Sequence, residues 1–179
     1  MRATGIVRKI DELGRIVIPK EIRRTMRIRN GDPLEIFTDK DGEVIFKKYS
    51  PVGELTEFAQ QICEALSRTT GAVSAICDRD TIVAAAGTGS RALEGREISS
   101  RLSRIMDARG LYTNGSGAEV VYPAEGEDSL AVAVASPVLA EGDLIGCVMF
   151  LGAENIKPEL LEIRLAQAMS GFLGRQLEN

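Results

Sequence analysis

The sequence predicts a two-domain α+β protein: a small β-rich unit that pairs with a second copy of itself, followed by a larger sheet covered by helices. Three observations lead there. Charge divides unevenly, with 12 Lys/Arg against 8 Asp/Glu in residues 1–50 and 10 against 18 in residues 51–179. The run Tyr49-Ser50-Pro51-Val52-Gly53 separates a strand-like stretch from a helical one, which puts the boundary at 50/51 and the domains at 1–50 and 51–179. Apolar periodicity alternates between 2 and 3.6 along the chain, so neither unit is all-helix or all-sheet.

In the first unit, residues 4–10 (Thr-Gly-Ile-Val-Arg-Lys-Ile) read as a strand, Asp11-Glu12-Leu13-Gly14 as a turn, and 15–18 as a second short strand. Pro19 opens a helix, where its missing N–H costs nothing, and Asn30-Gly31 is expected to cap it. Residues 34–38 and 43–49 read as strands joined by Asp39-Lys40-Asp41-Gly42, with Asp-Gly as the hairpin signal. About 50 residues with few large side chains bury little core alone. A homodimer whose hairpins complete each other's sheets removes the difficulty.

The helix carries the functional signal. At 100° per residue, Lys20, Arg23, Arg24 and Arg27 share one face while Ile22 and Met26 share another. Arg8, Lys9 and Arg15 add cations from the flanking strands, and residues 1–29 hold 9 basic against 3 acidic residues. That concentration points to a polyanion.

The string from Thr4 to Arg24, TGIVRKIDELGRIVIPKEIRR, resembles the fingerprint of AbrB-type transition-state regulators. The resemblance implies a swapped-hairpin, dimeric, DNA-binding domain over residues 1–50. By motif position it implies that Arg8, Arg15, Arg23 and Arg24 contact double-stranded DNA; Lys9 joins them by proximity and charge. Guanidinium forks suit phosphates and guanine edges, whereas a lysine acts as a point charge.

In the second unit, residues 54–67 read as a helix, 73–77 and 81–86 as strands, and 97–108 as an amphipathic helix. Strands are expected near 118–122, 130–137 and 143–151, then a helix from Pro158 to about Leu177. This order resembles a GAF domain, an α/β/α sensor fold. The resemblance implies a ligand pocket between the sheet and the middle helices, with 87–117 as its lid. No family motif maps ligand contacts onto particular residues, so the ligand and its contacts are unassigned. The last helix is apolar around more than one face, with Leu160, Leu161, Ile163, Leu165, Met169 and Phe172. Leu55, Phe58, Ile62 and Leu66 could join it in a helical bundle between dimers, giving a tetramer.

Composition closes other routes. The 44% hydrophobic and 27% charged content excludes global disorder. No apolar run reaches a membrane span, and no signal-peptide pattern opens the chain, so a cytoplasmic, nucleoid-associated protein with no membrane partner is expected. There is no histidine, which removes Ser-His-Asp and Cys-His catalysis and histidine-built metal sites. Cys63, Cys77 and Cys147 are dispersed, with no C-x-x-C spacing, and read as buried hydrophobes. No catalytic residue, metal ligand or cofactor is expected. Together with these exclusions, the resemblance to AbrB-type regulators and GAF domains implies a bacterial sporulation transcription regulator, activator or repressor, modulated by a small molecule or by oligomerisation. Its rivals are an antitoxin-type autoregulator on the same N-terminal fold and a GAF-like enzyme such as a sulfoxide reductase.

Overall fold

The computed structural model describes residues 4–115 and 119–178, and the chain divides into two compact units, Met1–Tyr49 and Ser50–Asn179. It is a two-region α+β protein. Three expectations fall partly on residues outside those described: the start of the strand near 118–122, the end of the 87–117 lid, and the N-terminal residues of the basic segment.

The first unit has one helix, α1 (Lys20–Thr25), and one hairpin, β1 (Leu34–Thr38) and β2 (Val44–Lys48). The hairpin pairs Leu34 with Lys48 through Thr38 with Val44. Its turn is closed by Asp39, whose carboxylate accepts from the N–H groups of Asp41 (3.0 Å) and Glu43 (2.9 Å), while Gly42 takes φ 82°.

Two expectations are corrected here. Residues 4–10 and 15–18 are in no strand, although the turn between them forms as expected. A strand needs a partner ladder, and these segments find none among the described residues of their own chain. The helix also stops earlier than Asn30-Gly31. Ile28 N donates to Arg23 O (2.7 Å) and Arg27 N to Arg24 O (3.2 Å), a Schellman closure with Arg27 at φ 51°. Lys48 Nζ donates to the Arg27 carbonyl at 3.0 Å and braces that residue in its left-handed conformation. Arg27 therefore lies past the helix end, and of the four cations expected on the helix only Lys20, Arg23 and Arg24 are in it.

The second unit is a three-layer structure. After a one-turn α2 (Pro51–Glu54) comes α3 (Thr56–Thr70), then β3 (Val73–Cys77) and β4 (Ile82–Ala86). A 3-10 turn (Ser90–Ala92) leads to α4 (Ser100–Asp107), followed by β5 (Tyr112–Thr113), β6 (Ala131–Ala140), β7 (Asp143–Gly152) and α5 (Leu160–Gln176). The sheet runs β4-β3-β7-β6-β5 with every pairing antiparallel. Side chains alternate across it. Ala75, Cys77, Cys147 and Met149 meet Leu102 and Met106 of α4 on one face, while Ile76, Val148 and Phe150 share the other with Ile62 and Leu66 of α3 and Leu173 of α5.

The helix ends follow the sequence chemistry. Gly71 closes α3 at φ 75°, the Ser99 hydroxyl caps α4 at Leu102 N, and Glu159 with Glu162 forms a capping box on α5. Within the expected strand near 118–122 the described residues 119–122 form none; Val121 makes a single link, accepting from Val132 N at 2.7 Å. The two-residue β5, too short for a periodic signal, occupies the edge instead. No helix among the described residues is long and apolar enough to cross a membrane.

Candidate nucleic-acid interface

Burial separates the two units before any charge is considered. Among the described residues of the first unit, Pro19 alone is buried. Val7 (86%), Leu13 (74%), Val17 (72%) and Ile36 (61%) are open to solvent, with Ile6, Ile10, Ile16, Val44 and Phe46 also exposed.

The cations sit among these apolar side chains. Arg8 and Lys9 lie exposed on residues 4–10, which form neither helix nor strand. Arg15 follows the Asp11–Gly14 turn, which is built around one carboxylate. Asp11 Oδ1 accepts from Leu13 N (3.0 Å) and Arg15 N (2.8 Å), Oδ2 accepts from Arg15 Nε (2.8 Å), and Gly14 takes φ 74°. The Arg15 backbone N–H, and then its guanidinium, hold the Asp11 carboxyl below the usual carboxylate range. This ion pair is open to water, so another anion can replace the carboxylate at little cost.

Arg23 and Arg24 are fixed by α1. Arg24 is exposed. Arg23 is half-buried; its Nη1 donates to Asn30 Oδ1 at 2.8 Å, while its Nε is shut off from solvent without a partner. A buried guanidinium donor left unmatched is unfavourable, and a phosphate oxygen would satisfy it. The structure thus brings Arg23 and Arg24 onto one short helix, sets Arg15 beside a turn, and leaves Arg8 and Lys9 on a segment in neither helix nor strand. Sequence reasoning missed the two partners, Asp11 for Arg15 and Asn30 for Arg23. The Asp-x-x-Gly turn signal located Asp11, but it points to backbone donors rather than to a guanidinium four residues on.

The three cysteines of the second unit are buried. Burial pushes the Cys63 thiol up to about 12 and raises Cys77 and Cys147 as well, so thiolate is scarce at neutral pH. Among the described residues no group of three or more His, Cys, Asp or Glu is placed to hold a metal ion.

Comparison with known proteins follows the same division. Residues 54–178 match the family described as stage V sporulation protein T C-terminal, transcription factor. Residues 7–53 match antidote-toxin recognition MazE, bacterial antitoxin. Over 178 residues, 99% of each chain, the sequence is 44% identical to stage V sporulation protein T of Bacillus subtilis (strain 168). Over 51 residues, 28% of this chain and 52% of the relative, it is 61% identical to the transition state regulatory protein AbrB of the same organism. Two solved structures share the fold of the larger unit at 14% identity. One is a type II free methionine-R-sulfoxide reductase from Thermoplasma acidophilum (TM-score 0.53, 69% of this chain and 94% of that one). The other is a GAF domain/HD domain protein from Geobacter sulfurreducens (TM-score 0.50, 73% and 95%).

Proposed function

The chain belongs to the stage V sporulation protein T family, and we propose that it is a sporulation transcription regulator that grips double-stranded DNA through residues 1–50 and regulates that grip through residues 51–179. The observation that carries this reading is the cluster of Arg8, Lys9, Arg15, Arg23 and Arg24 on a unit with almost no core of its own. Two copies that bury their exposed apolar segments against each other double the cationic surface about a two-fold axis. Each guanidinium then meets a phosphate or a base edge, and the unmatched Nε of Arg23 gains an acceptor.

The second domain works as a sensor, an assembly module or both. Leu160, Leu161 and Phe172 of α5 are exposed, and Phe58 of α3 packs against Phe172 with ring centroids 5.9 Å apart and the rings tilted by 49°. This apolar surface suits a bundle with the same helices of another dimer, giving a tetramer. A ligand that favours one spacing of the two DNA-binding halves would change affinity by its differential contacts with the two states. The working site is the cytoplasm, on the nucleoid.

The antitoxin reading is supported only over residues 7–53, whereas the rest of the chain belongs with a transcription factor. An enzymatic role like that of the distant sulfoxide reductase would need an accessible thiolate, which the three buried, raised thiols do not offer.

The test is DNA binding by the full chain as a function of salt. Neutralising roughly 6–8 phosphates per dimer gives a slope of log affinity against log salt near −5 to −7. A slope near zero would overturn the reading.

A further inference from the structure

The loop between β5 and β6 leaves one sheet edge and returns to it. Asn114 N donates to Ala133 O (2.8 Å) where it departs, and Val132 N donates to Val121 O (2.7 Å) where it rejoins. Both ends are tied down from outside the sheet. The Asn114 carboxamide donates to Glu154 O (2.8 Å) and Ile156 O (3.3 Å), and Arg101 on α4 donates from Nη1 to Val120 O (2.9 Å).

Tyr112 lies within this frame. It packs with Ile105 and Leu130 against the core cluster that holds Leu102, Met106 and Val121. Its hydroxyl is shut off from solvent and has no hydrogen-bond partner. A polar group left so at the margin of a packed core is rare in native proteins and is normally met by water or a ligand. The Arg101 guanidinium is near enough to be felt at the phenol, opposing the rise in its pKa that burial causes. Arg101 Nη2 meets the carboxylate of Glu119, whose side chain is 77% exposed. An anion from the loop therefore already covers the guanidinium, from a position where solvent competes for it.

The geometry points to a binding site for a small monocarboxylate with an apolar remainder: Tyr112 donates its O–H to the ligand, Arg101 exchanges Glu119 for the ligand's carboxylate, and the apolar part rests against Ile105 and Leu130. This deepens the sensor reading of the second domain and rests on it. A single guanidinium and a single hydroxyl match one carboxylate. A phosphate dianion fits poorly, because one guanidinium already shared with the Glu119 carboxylate does not balance two negative charges. Arg101 also donates to Val120 O, so a ligand that repositions its guanidinium would act on the returning end of the loop.

The experiment titrates the full-length protein with straight-chain monocarboxylates from acetate to octanoate and with their primary amides, by calorimetry and thermal melting. Wild type, Tyr112→Phe and Arg101→Lys are compared. The expected result is saturable binding that tightens about threefold to fourfold per methylene and weakens at least tenfold for the amides. Tyr112→Phe weakens binding about tenfold or more, while its ligand-free melting temperature stays at or above that of wild type, since an unmatched hydroxyl has been removed. Arg101→Lys retains part of the affinity. A lower ligand-free melting temperature in Tyr112→Phe would mark a merely structural phenol and overturn the proposal. So would the absence of saturable binding, or equal binding by acids and amides. DNA affinity is measured alongside. Carboxylate binding that leaves DNA affinity unchanged would keep the site and overturn the sensor reading.

Discussion

Residues 4–49 and residues 50–178 use the same apolar residue types, Ile, Val, Leu and Phe, and arrive at opposite states. In the second unit the five-stranded sheet is closed on both faces, by α4 on one and by α3 and α5 on the other, and Ile76, Met149 and Phe150 are fully buried. In the first, Ile6, Val7, Ile10, Leu13, Ile16 and Val17 stand in solvent on backbone that forms no ladder. At about 25 cal/mol per Å² of apolar surface, a lone copy forgoes most of the stabilisation its own composition offers. The second unit holds its folding information in one chain, and the pairing proposed above would explain why the first does not. Under that proposal the DNA-binding surface would answer to whatever sets the chain's assembly.

The largest effect is expected from a change that breaks this comparison outright. Val7→Asp combined with Val17→Asp puts carboxylates on two of the most exposed apolar positions of the first unit. In a lone chain they would be harmless. In a dimer that buries them they leave unpaired charges, each costing at least about 2–5 kcal/mol and counted twice per dimer. The expected outcome is loss of pairing through the first unit and loss of DNA binding, while the second unit melts as before. Sedimentation and circular dichroism read both. An unchanged mass would mean that the exposed segments are not an interface.

Next in size is the removal of single cations. Arg24→Ala takes away one exposed guanidinium per chain, two per dimer, and should lower the salt slope by about 2 and weaken binding by about 2–4 kcal/mol. Arg23→Ala should match it in affinity but also release Asn30, its partner at 2.8 Å, so it alone also lowers the melting temperature of the first unit. Equal melting of the two variants would place Arg23 on the same footing as Arg24.

How far the sequence revealed these residues follows the same division. In the second unit the strands at 73–77 and 82–86 and the long terminal helix were legible, because each has a periodic apolar face that meets its partner within the chain. Tyr112–Thr113 was not, since two residues carry no period. In the first unit the turn at Asp11–Gly14 and the hairpin at 39–42 were legible from local chemistry. The strands proposed at 4–10 and 15–18 were not realised in one chain, since alternation says that a strand is possible and not where its partner is. The helix end was misplaced because Asn30-Gly31 is the stronger cap signal by composition. The closure at Arg27 depends instead on Lys48, 21 residues away. The cations proposed to meet DNA came from motif position, with Lys9 added by proximity and charge, whereas the pairing of Arg15 with Asp11 and of Arg23 with Asn30 had no signal in the sequence.

Packing density should divide the units a third time. A Cβ on Gly174 of α5 would lie 2.2 Å from the Leu139 carbonyl oxygen of β6, so Gly174→Ala must push helix and strand apart. The expected cost is about 1–3 kcal/mol, seen as a lower melting temperature of the second unit with DNA binding by the first retained. Gly14→Ala meets nothing within 4 Å and is strained only by φ 74°, for about 1 kcal/mol. A reversed order would mean that the first unit is the more tightly packed of the two.

The smallest effect concerns two carboxylates that both titrate low for different reasons. Asp11 is held down by the Arg15 backbone N–H and guanidinium on an open surface. Glu127 is held down first by the Ser129 hydroxyl, with the Leu130 N–H and Arg96 adding to it, on a side chain only 9% exposed. A carboxyl whose folded pKa lies below its unfolded value contributes stability that is present above the unfolded value and lost as pH falls through the folded one. Both contributions therefore vanish on acidification below about pH 4, and neither moves near neutrality. Asp11→Asn should leave melting almost unchanged, because the pair is solvent-screened. At pH 7 it should tighten DNA binding a few-fold by freeing Arg15 and removing one negative charge per chain. Glu127→Gln should instead lower the melting temperature of the second unit and leave DNA binding alone, since Glu127 ties the 124–130 loop to Arg96 at 2.8 Å. If Asp11→Asn weakened DNA binding instead, the turn that presents Arg15 would be worth more to recognition than the charge that competes for it, and the first unit would depend on its own local geometry as much as on its partner.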